Sequence, residues 1–210
     1  MNRFAKHIFL VFCLCFFINR CYATTKYVNI EYDVPIDYSK IDKNALSTQA
    51  NLFFNHFEQI TDEEYKKKYI QPLFNRYSVL SVMVPEDPFN FTRLGILYDI
   101  MGNDRYAKSC FFKATNLVPD YAYASYSFGN YYYKRGLYRK ALAQYKVSEG
   151  LPYPYSYDRY MKMGAVYEKL GNYKEALVFY KSAYKQQNGL ELYNKILLLE
   201  ELNSKNMLYH

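Results

Sequence analysis

The sequence predicts an all-α protein, a right-handed solenoid built from tandem helix–turn–helix repeats. One residue pattern returns every 34 or 35 residues. Each unit carries a glycine, then a tyrosine three positions later, then a second glycine. The three sets are Gly95, Tyr98 and Gly102; Gly129, Tyr132 and Gly136; and Gly164, Tyr167 and Gly171. A fixed period of this length is typical of stacked helical repeats, in which each unit buries its apolar face against its neighbours.

The two glycines of each unit have different expected roles. A glycine inside a helix costs about 1 kcal/mol relative to alanine, so its recurrence in the first helix indicates close packing that offsets the cost. We therefore expect a neighbouring helix to approach the backbone at Gly95, Gly129 and Gly164. The second glycine comes just after the first helix, where a left-handed residue commonly ends a helix.

The second helix of each unit is predicted at residues 105–117, 138–149 and 173–186. Each carries an alanine and, four positions later, an aromatic residue, so that both lie on one helical face. These pairs are Ala107 and Phe111, Ala141 and Tyr145, and Ala176 and Tyr180. Pro119 and Pro152 follow the first two of these helices and end them.

This pattern resembles the tetratricopeptide repeat (TPR) family. The first unit, residues 88–121, has the family's residues at Phe91, Leu94, Gly95, Tyr98, Gly102, Ala107, Phe111, Ala114 and Pro119. The second, about 122–155, departs at Ser125 and Ser148, and the third, about 157–190, has Asn188 in place of proline. One residue is inserted around 152–156. The match covers roughly half of the chain.

The N-terminal residues 1–23 are predicted to be a signal peptide. Arg3 and Lys6 precede an apolar run of 11 residues at 8–18, which is too short to cross a bilayer that requires about 20. The sequence Cys21-Tyr22-Ala23 ends in a small-x-small cleavage pattern. We expect cleavage after Ala23 and a periplasmic, cell-envelope or secreted location. The alternative is a retained signal anchor.

Cleavage would leave Cys110 as the single cysteine of the mature chain, so no intramolecular disulfide is expected. A buried small hydrophobe is the expected role of this residue, and an intermolecular disulfide is the alternative. The formal net charge falls from +7 to about +4 once the three cations of residues 1–23 are removed. This excess is too mild, and too evenly distributed, to indicate a nucleic-acid partner.

Three further segments flank the repeats. Residues 24–43 are predicted to be an extended N-terminal tail, and residues 44–86 a degenerate helical hairpin that precedes the repeats at 87–190. The C-terminal residues 191–210 carry apolar side chains at helical spacing, including Leu192, Ile196 and Leu199. Because a solenoid needs an end helix to cover its last apolar face, we expect this segment to cap the array. A docking helix for a partner is the alternative.

The sequence offers little that is suited to catalysis or metal binding. The mature chain has two histidines, His56 and His210, and one cysteine, which do not make a typical zinc site. A dyad of Cys110 and His56 lacks any motif around either residue. We therefore predict no enzyme activity, no catalytic residues, no metal site and no cofactor.

The resemblance to TPR proteins implies that the first helices line a concave groove. By position, the groove residues with the chemistry to bind a protein are Phe89, Tyr123, Tyr126, Asn130, Tyr133, Lys134, Met161 and Lys162. Tyrosine suits such a surface because it combines a large apolar ring with a polar tip. The alternative is that residues 24–43 of the same chain fill the groove.

From these features we predict a non-catalytic exported adaptor that binds a peptide segment or helix of a partner protein in its groove. The alternative is a structural subunit of a cell-envelope or secretion assembly that self-associates or docks through its C-terminal helix. We expect protein or peptide partners, no nucleic acid, and no stable transmembrane segment after signal cleavage.

Overall fold

The computed structural model describes residues 37–152 and 154–207, the last three as backbone only. The predicted signal peptide and residues 24–36 of the predicted tail lie outside this range. The described residues form α-helices and one short 3-10 turn, Tyr38–Lys40, with no strand, which confirms the all-α prediction. The helices are α1 Lys43–Gln59, α2 Glu63–Met83, α3 Pro88–Ile100, α4 Asp104–Leu117, α5 Ala122–Lys134, α6 Tyr138–Val147, α7 Tyr155–Lys169, α8 Tyr173–Gln186 and α9 Leu190–Met207.

The chain divides into two compact units, Met1–Arg76 and Tyr77–His210. The division falls inside α2, within the segment 44–86 that the sequence predicts to be one hairpin. None of the described helices is both long enough and apolar enough to span a membrane.

The first unit contains α1 and the beginning of α2. Asp42 caps α1, because its Oδ1 accepts hydrogen bonds from the backbone N–H groups of Asn44 and Ala45 at 3.0 and 3.1 Å. The buried side chains of α1 are Ala50, Phe54 and Phe57, spaced to lie on one face of the helix. The unit therefore has an apolar face of its own.

The second unit contains the repeats as three helix pairs. α3 packs against α4, α5 against α6, and α7 against α8, while α9 packs against α8. The pairs follow one another in the chain, so the predicted tandem helix–turn–helix arrangement is confirmed. Of the three second helices, α8 has the predicted bounds, α4 begins one residue earlier at Asp104, and α6 ends at Val147 instead of residue 149.

The glycine within each first helix lies directly against an aromatic ring of its paired second helix. A Cβ placed on Gly95 would stand 2.8 Å from the ring of Phe111. The corresponding distances are 2.5 Å from Gly129 to Tyr145 and 2.7 Å from Gly164 to Tyr180. No residue with a side chain fits at these points without displacing the ring, which is the close packing that the sequence predicts.

The second glycine of each unit ends the first helix in the left-handed conformation, at φ of 74° for Gly102, 69° for Gly136 and 74° for Gly171. The residue after Gly102, Asn103, donates its N–H to the carbonyl of Tyr98 at 2.8 Å, which is the bond expected of a Schellman cap. The turn to each second helix is therefore set by backbone geometry.

Candidate protein-binding face

The eight predicted groove residues lie on the first helices α3, α5 and α7, but they differ in exposure. Tyr123 and Tyr126 are buried, with 9% and 7% of their surface exposed. Lys134 is exposed, and the other five are partly buried: Phe89, Asn130, Tyr133, Met161 and Lys162. A partner that docks on this face therefore contacts Lys134 and the five partly buried residues. It reaches little of the surface of the two buried tyrosines.

Tyr123 and Phe89 hold a buried arginine that was not identified from the sequence. The guanidinium carbon of Arg93 stands 4.6 Å from the ring centre of Phe89 and 4.9 Å from that of Tyr123. Its Nη1 donates a hydrogen bond to the Tyr123 hydroxyl at 2.9 Å. A buried cation between two aromatic rings is a stabilising arrangement, so these rings have a packing role. The signal for it was the spacing of Phe89 and Arg93, one helical turn apart.

Tyr126 and Asn130 belong to a polar network between α5, α6 and α7. The hydroxyl of Tyr126 donates to the carboxylate of Asp158, and that of Tyr145 donates to Oδ1 of Asn130 at 2.9 Å. Burial, reinforced by the carboxylate of Asp158, raises the pKa of Tyr126 well above its ordinary value. Burial likewise raises the pKa of Tyr145. Both phenols therefore stay protonated and keep donating at physiological pH.

The ring of Tyr155, at the first position of α7, covers the two buried tyrosines. Its centre stands 5.5 Å from that of Tyr123 and 5.7 Å from that of Tyr126, edge-on in both cases. Tyr155 belongs to the segment around 152–156 where the sequence carries one inserted residue. The insertion therefore brings an aromatic ring over positions that the TPR resemblance assigns to the groove.

The remaining predicted residues form a partly exposed surface, which we name the α5–α7 patch: Tyr133, Lys134, Met161 and Lys162. The ammonium of Lys162 stands 5.3 Å from the ring centre of Tyr133 and 4.0 Å from Oδ2 of Asp158. Tyr133 packs against a core cluster that draws on all three repeats, and Met161 against the cluster that joins α8 to α9. The patch thus combines an aromatic ring, a thioether and two ammonium groups at the junction of two repeats.

A second charged cluster fixes the C-terminal end of α5. Asp99 forms one ion pair with Lys134 at 2.7 Å and another with Arg135 at 2.8 Å, and its side chain is only 8% exposed. Arg135 also pairs with Asp104, with Nε to Oδ1 at 2.6 Å. This contact, more than any other, lowers the pKa of the Asp104 carboxyl. Arg135 was not identified from the sequence, although a cation in the last turn of a helix is a recognisable signal.

The carboxylates of this face are engaged within the chain. Asp99 forms the two ion pairs described above. Asp158 accepts a hydrogen bond from the Tyr126 hydroxyl and pairs with Lys162. Glu168 accepts a hydrogen bond from the Tyr180 hydroxyl at 2.8 Å. Glu168 also pairs with Lys195 at 2.9 Å. The ammonium of Lys134 pairs with Asp99, and 60% of the Lys134 side chain is exposed. An incoming segment therefore meets a surface of lysines that are paired with carboxylates of the same chain and remain partly accessible.

The described residues contain no group of three histidine, cysteine or acidic side chains placed to hold a metal ion. Burial raises the pKa of the Cys110 thiol to about 12, so this thiol is protonated at neutral pH and a poor nucleophile. His56, in the first unit, packs edge-on against the ring of Tyr69 at 5.4 Å.

No protein-family model matches the chain, and no curated protein matches it. Solved structures do. A crystal structure of MamA is 22% identical, with a TM-score of 0.57 over 70% of this chain and 85% of MamA. TTC0263, a thermophilic TPR protein of Thermus thermophilus, is 20% identical, with a TM-score of 0.53 over 74% of this chain and 91% of its own. PilF of Pseudomonas aeruginosa is 12% identical, with a TM-score of 0.64 over 77% of this chain and 70% of PilF. At these identities the likeness shows the fold, a TPR-like α-solenoid.

Proposed function

We propose that this protein is a non-catalytic exported adaptor, which binds a peptide segment or helix of a partner protein on the first-helix face of its repeats. The observation that carries the proposal is the α5–α7 patch, a partly exposed aromatic and cationic surface built on a buried polar network. Export rests on the signal-peptide pattern of residues 1–23.

The buried network gives the patch a rigid base. The network joins Tyr126, Asn130 and Tyr145 to Asp158, and Asp158 lies one helical turn before Lys162 on α7. Because hydrogen bonds hold the side chains of this partly buried network in place, less ordering of the patch is needed when a partner arrives. Preorganisation of this kind lowers the entropic cost of binding.

The chemistry of the patch fits a segment that carries an apolar side chain beside an acidic one. The ring of Tyr133 and the thioether of Met161 offer apolar contact, and aromatic residues, methionine and arginine are the types enriched at protein interfaces. Lys134 and Lys162 supply charge that steers an acidic partner and fixes its register. Both lysines remain partly exposed while paired with carboxylates of their own chain.

The test is affinity capture from the cell-envelope extract of the source organism by the mature chain, residues 24–210. A patch variant carries Tyr133→Ser, Lys134→Glu and Lys162→Glu. The matched control carries Phe112→Ser, Lys174→Glu and Lys185→Glu, which likewise change one aromatic residue and two lysines, at positions of the second helices away from the patch.

We expect a partner that the wild type and the control capture and the patch variant loses. Circular dichroism of the three proteins establishes that all are folded. Equal capture by all three would contradict the patch as the binding surface, and capture of nothing by the wild type would contradict the adaptor function.

A further inference from the structure

The last described helix, α9, repeats the burial pattern of the first helices. In α3, α5 and α7, three buried residues recur at a common spacing, the second four positions and the third seven positions after the first. The three sets are Asn90, Leu94 and Leu97; Ala124, Phe128 and Tyr131; and Arg159, Met163 and Val166. The corresponding set in α9 is Leu192, Ile196 and Leu199, packed with Ala176, Leu177, Tyr180 and Ala183 of α8. α9 therefore sits on the third repeat as the first helix of a further unit would.

The side of α9 that a second helix would cover is open over the described part of the chain. In the three repeats, the residue after the middle buried one is the helix glycine, which contacts a ring of the second helix. In α9 that residue is Leu197, and 46% of its surface is exposed. Tyr193, at the position of Phe91 and Tyr160, is 44% exposed. These side chains have the positions of core residues and the exposure of surface residues.

The outward half of α9 carries five exposed apolar side chains, which we name the leucine face: Leu190, Tyr193, Leu197, Leu198 and Leu202. Together they present on the order of 500 Å² of surface, the size of the largest apolar patch on a typical monomer. Exposed apolar patches of this size mark interaction surfaces.

Two charged residues of α9 are directed to the neighbouring helices, whereas Glu191 and Glu201 are exposed on the outward half of the helix. Lys195 pairs with Glu168 of α7 at 2.9 Å, and Glu200 with Lys181 of α8 at 2.6 Å. Leu192, Ile196 and Leu199, buried against α8, set the rotation of α9 about its own axis, and the two ion pairs flank them. The leucines are therefore held outward by contacts on the opposite side of the helix.

A shallow, open hollow lies at the beginning of the leucine face, lined by Tyr184, Asn188, Gly189, Leu190 and Tyr193. Leu197 stands one helical turn beyond Tyr193 on the same flank of α9. The face thus carries both a protruding side chain and a hollow, a short distance apart along one helix. A surface of this kind can complement itself when two copies meet about a two-fold axis.

We propose that the leucine face is the dimer interface of this protein, with α9 of two copies packed antiparallel. In this pairing Leu197 of each copy lies against the hollow of the other, and the two-fold axis passes near the exposed Asn194. Two such faces bury at most about 1,000 Å² in total, which is the lower bound for a specific interface. Leu197 also disfavours the packing of a further second helix on α9. In the repeats, the second helices α4, α6 and α8 each place an aromatic ring against the glycine of the first helix, and the leucine side chain would clash with such a ring.

The first test is the mass of the mature chain in solution, by light scattering coupled to size-exclusion chromatography at micromolar concentrations. The interface variant carries Leu190→Ser and Leu197→Glu. The control carries Val147→Ser and Val178→Glu, two exposed apolar residues of the second helices. We expect two copies for the wild type and the control and one copy for the interface variant, all with the same helical circular dichroism.

The second test identifies the pairing itself. Asn194→Cys places a thiol near the proposed axis, so mild oxidation should link two chains covalently, whereas Ser204→Cys, further along the same helix, should remain unlinked. A monomeric wild type would overturn the proposal. So would a dimer that survives Leu197→Glu, or equal cross-linking of the two cysteine variants. If the wild type is a monomer and Leu197→Glu abolishes capture of a partner, the leucine face binds a different protein instead of a second copy.

Discussion

The ring of Tyr145 lies so close to Gly129 that a Cβ on residue 129 would stand 2.5 Å from its Cε1 atom. The same relationship links Gly95 to Phe111 and Gly164 to Tyr180. Each repeat is thus closed by one backbone-to-ring contact between its two helices, and this contact explains why a residue unfavourable to helices recurs within them.

Replacing Gly129 with alanine should destabilise the protein. Overpacking costs about 1–3 kcal/mol and outweighs the gain of about 1 kcal/mol in helix propensity, so we expect a lower free energy of unfolding in urea. The control is Gly189→Ala, where an added Cβ meets nothing within 4 Å. In a Tyr145→Leu background the loss should shrink, because the ring that clashes is absent. Strict additivity of the two changes would contradict the packing account.

Replacing Tyr126 with phenylalanine should separate stability from binding. The ring and its packing remain, while the hydrogen bond to Asp158 is lost. We expect a loss of about 1 kcal/mol in the free energy of unfolding, below the roughly 1.5–3 kcal/mol of a bond to a charged group, because water reaches Asp158. Affinity for a partner captured through the α5–α7 patch should fall less than it does with Tyr133→Ala, because Tyr126 supports the patch from below whereas Tyr133 is part of it. The reverse order of effects on affinity would show that the buried tyrosine contacts the partner.

Glu168 should make stability depend on pH in the acid range. Burial by itself would raise the pKa of this carboxyl, but hydrogen bonds from Lys195 and Tyr180 outweigh it and lower the pKa below 4.5. Since the folded pKa lies below the unfolded one, the contribution to stability is present above about pH 4.5 and is lost as the pH falls through the folded value.

Urea unfolding of the wild type at pH 6 and below pH 4 should therefore show a larger acid-induced loss than unfolding of Glu168→Gln. Glu149→Gln, at an exposed residue after α6, is the matched control and should behave as the wild type. The same acid-induced loss in Glu168→Gln as in the wild type would show that this carboxyl is not responsible.

Cys110 should be unreactive in the folded protein. Burial raises the pKa of its thiol to about 12, and the thiolate is the species that reacts. We expect the folded mature chain to react with a thiol-specific disulfide reagent at pH 8 at least about a hundredfold more slowly than the urea-denatured chain. A rate similar to that of the denatured chain would place the thiol at the surface and revive the intermolecular disulfide as an alternative.

Much of the fold follows from the sequence because the repeat pattern encodes local geometry. Gly102 and Gly171 are placed where a left-handed residue is needed, and the structure has both at a φ of 74°. The helix glycines and the aromatic residues of the second helices were likewise identifiable from their fixed spacing. Helix ends follow from the sequence less closely: α6 stops at Val147, two residues before the predicted end, and Ser148 Oγ donates to the carbonyl of Tyr145 at 2.7 Å.

The candidate site follows from the sequence less completely. Periodicity assigns Tyr123 and Tyr126 to the same side of α5 as Tyr133, and the three look equivalent along the chain. In the structure the first two are covered by Tyr155, while Tyr133 remains partly exposed. The binding role of the predicted groove residues stays a prediction, and Tyr133, Lys134, Met161 and Lys162 are the members best placed for it.

The sequence by itself determined the repeat unit, because the period, the glycines and the ring positions are properties of one helix and of the turn that follows it. Only the tertiary structure decided which side chains of a first helix face solvent. In a stacked array each first helix touches both its own second helix and the next repeat, so burial depends on what the neighbour contributes. Here the neighbour contributes Tyr155 over α5, and no described helix covers Leu197 on α9.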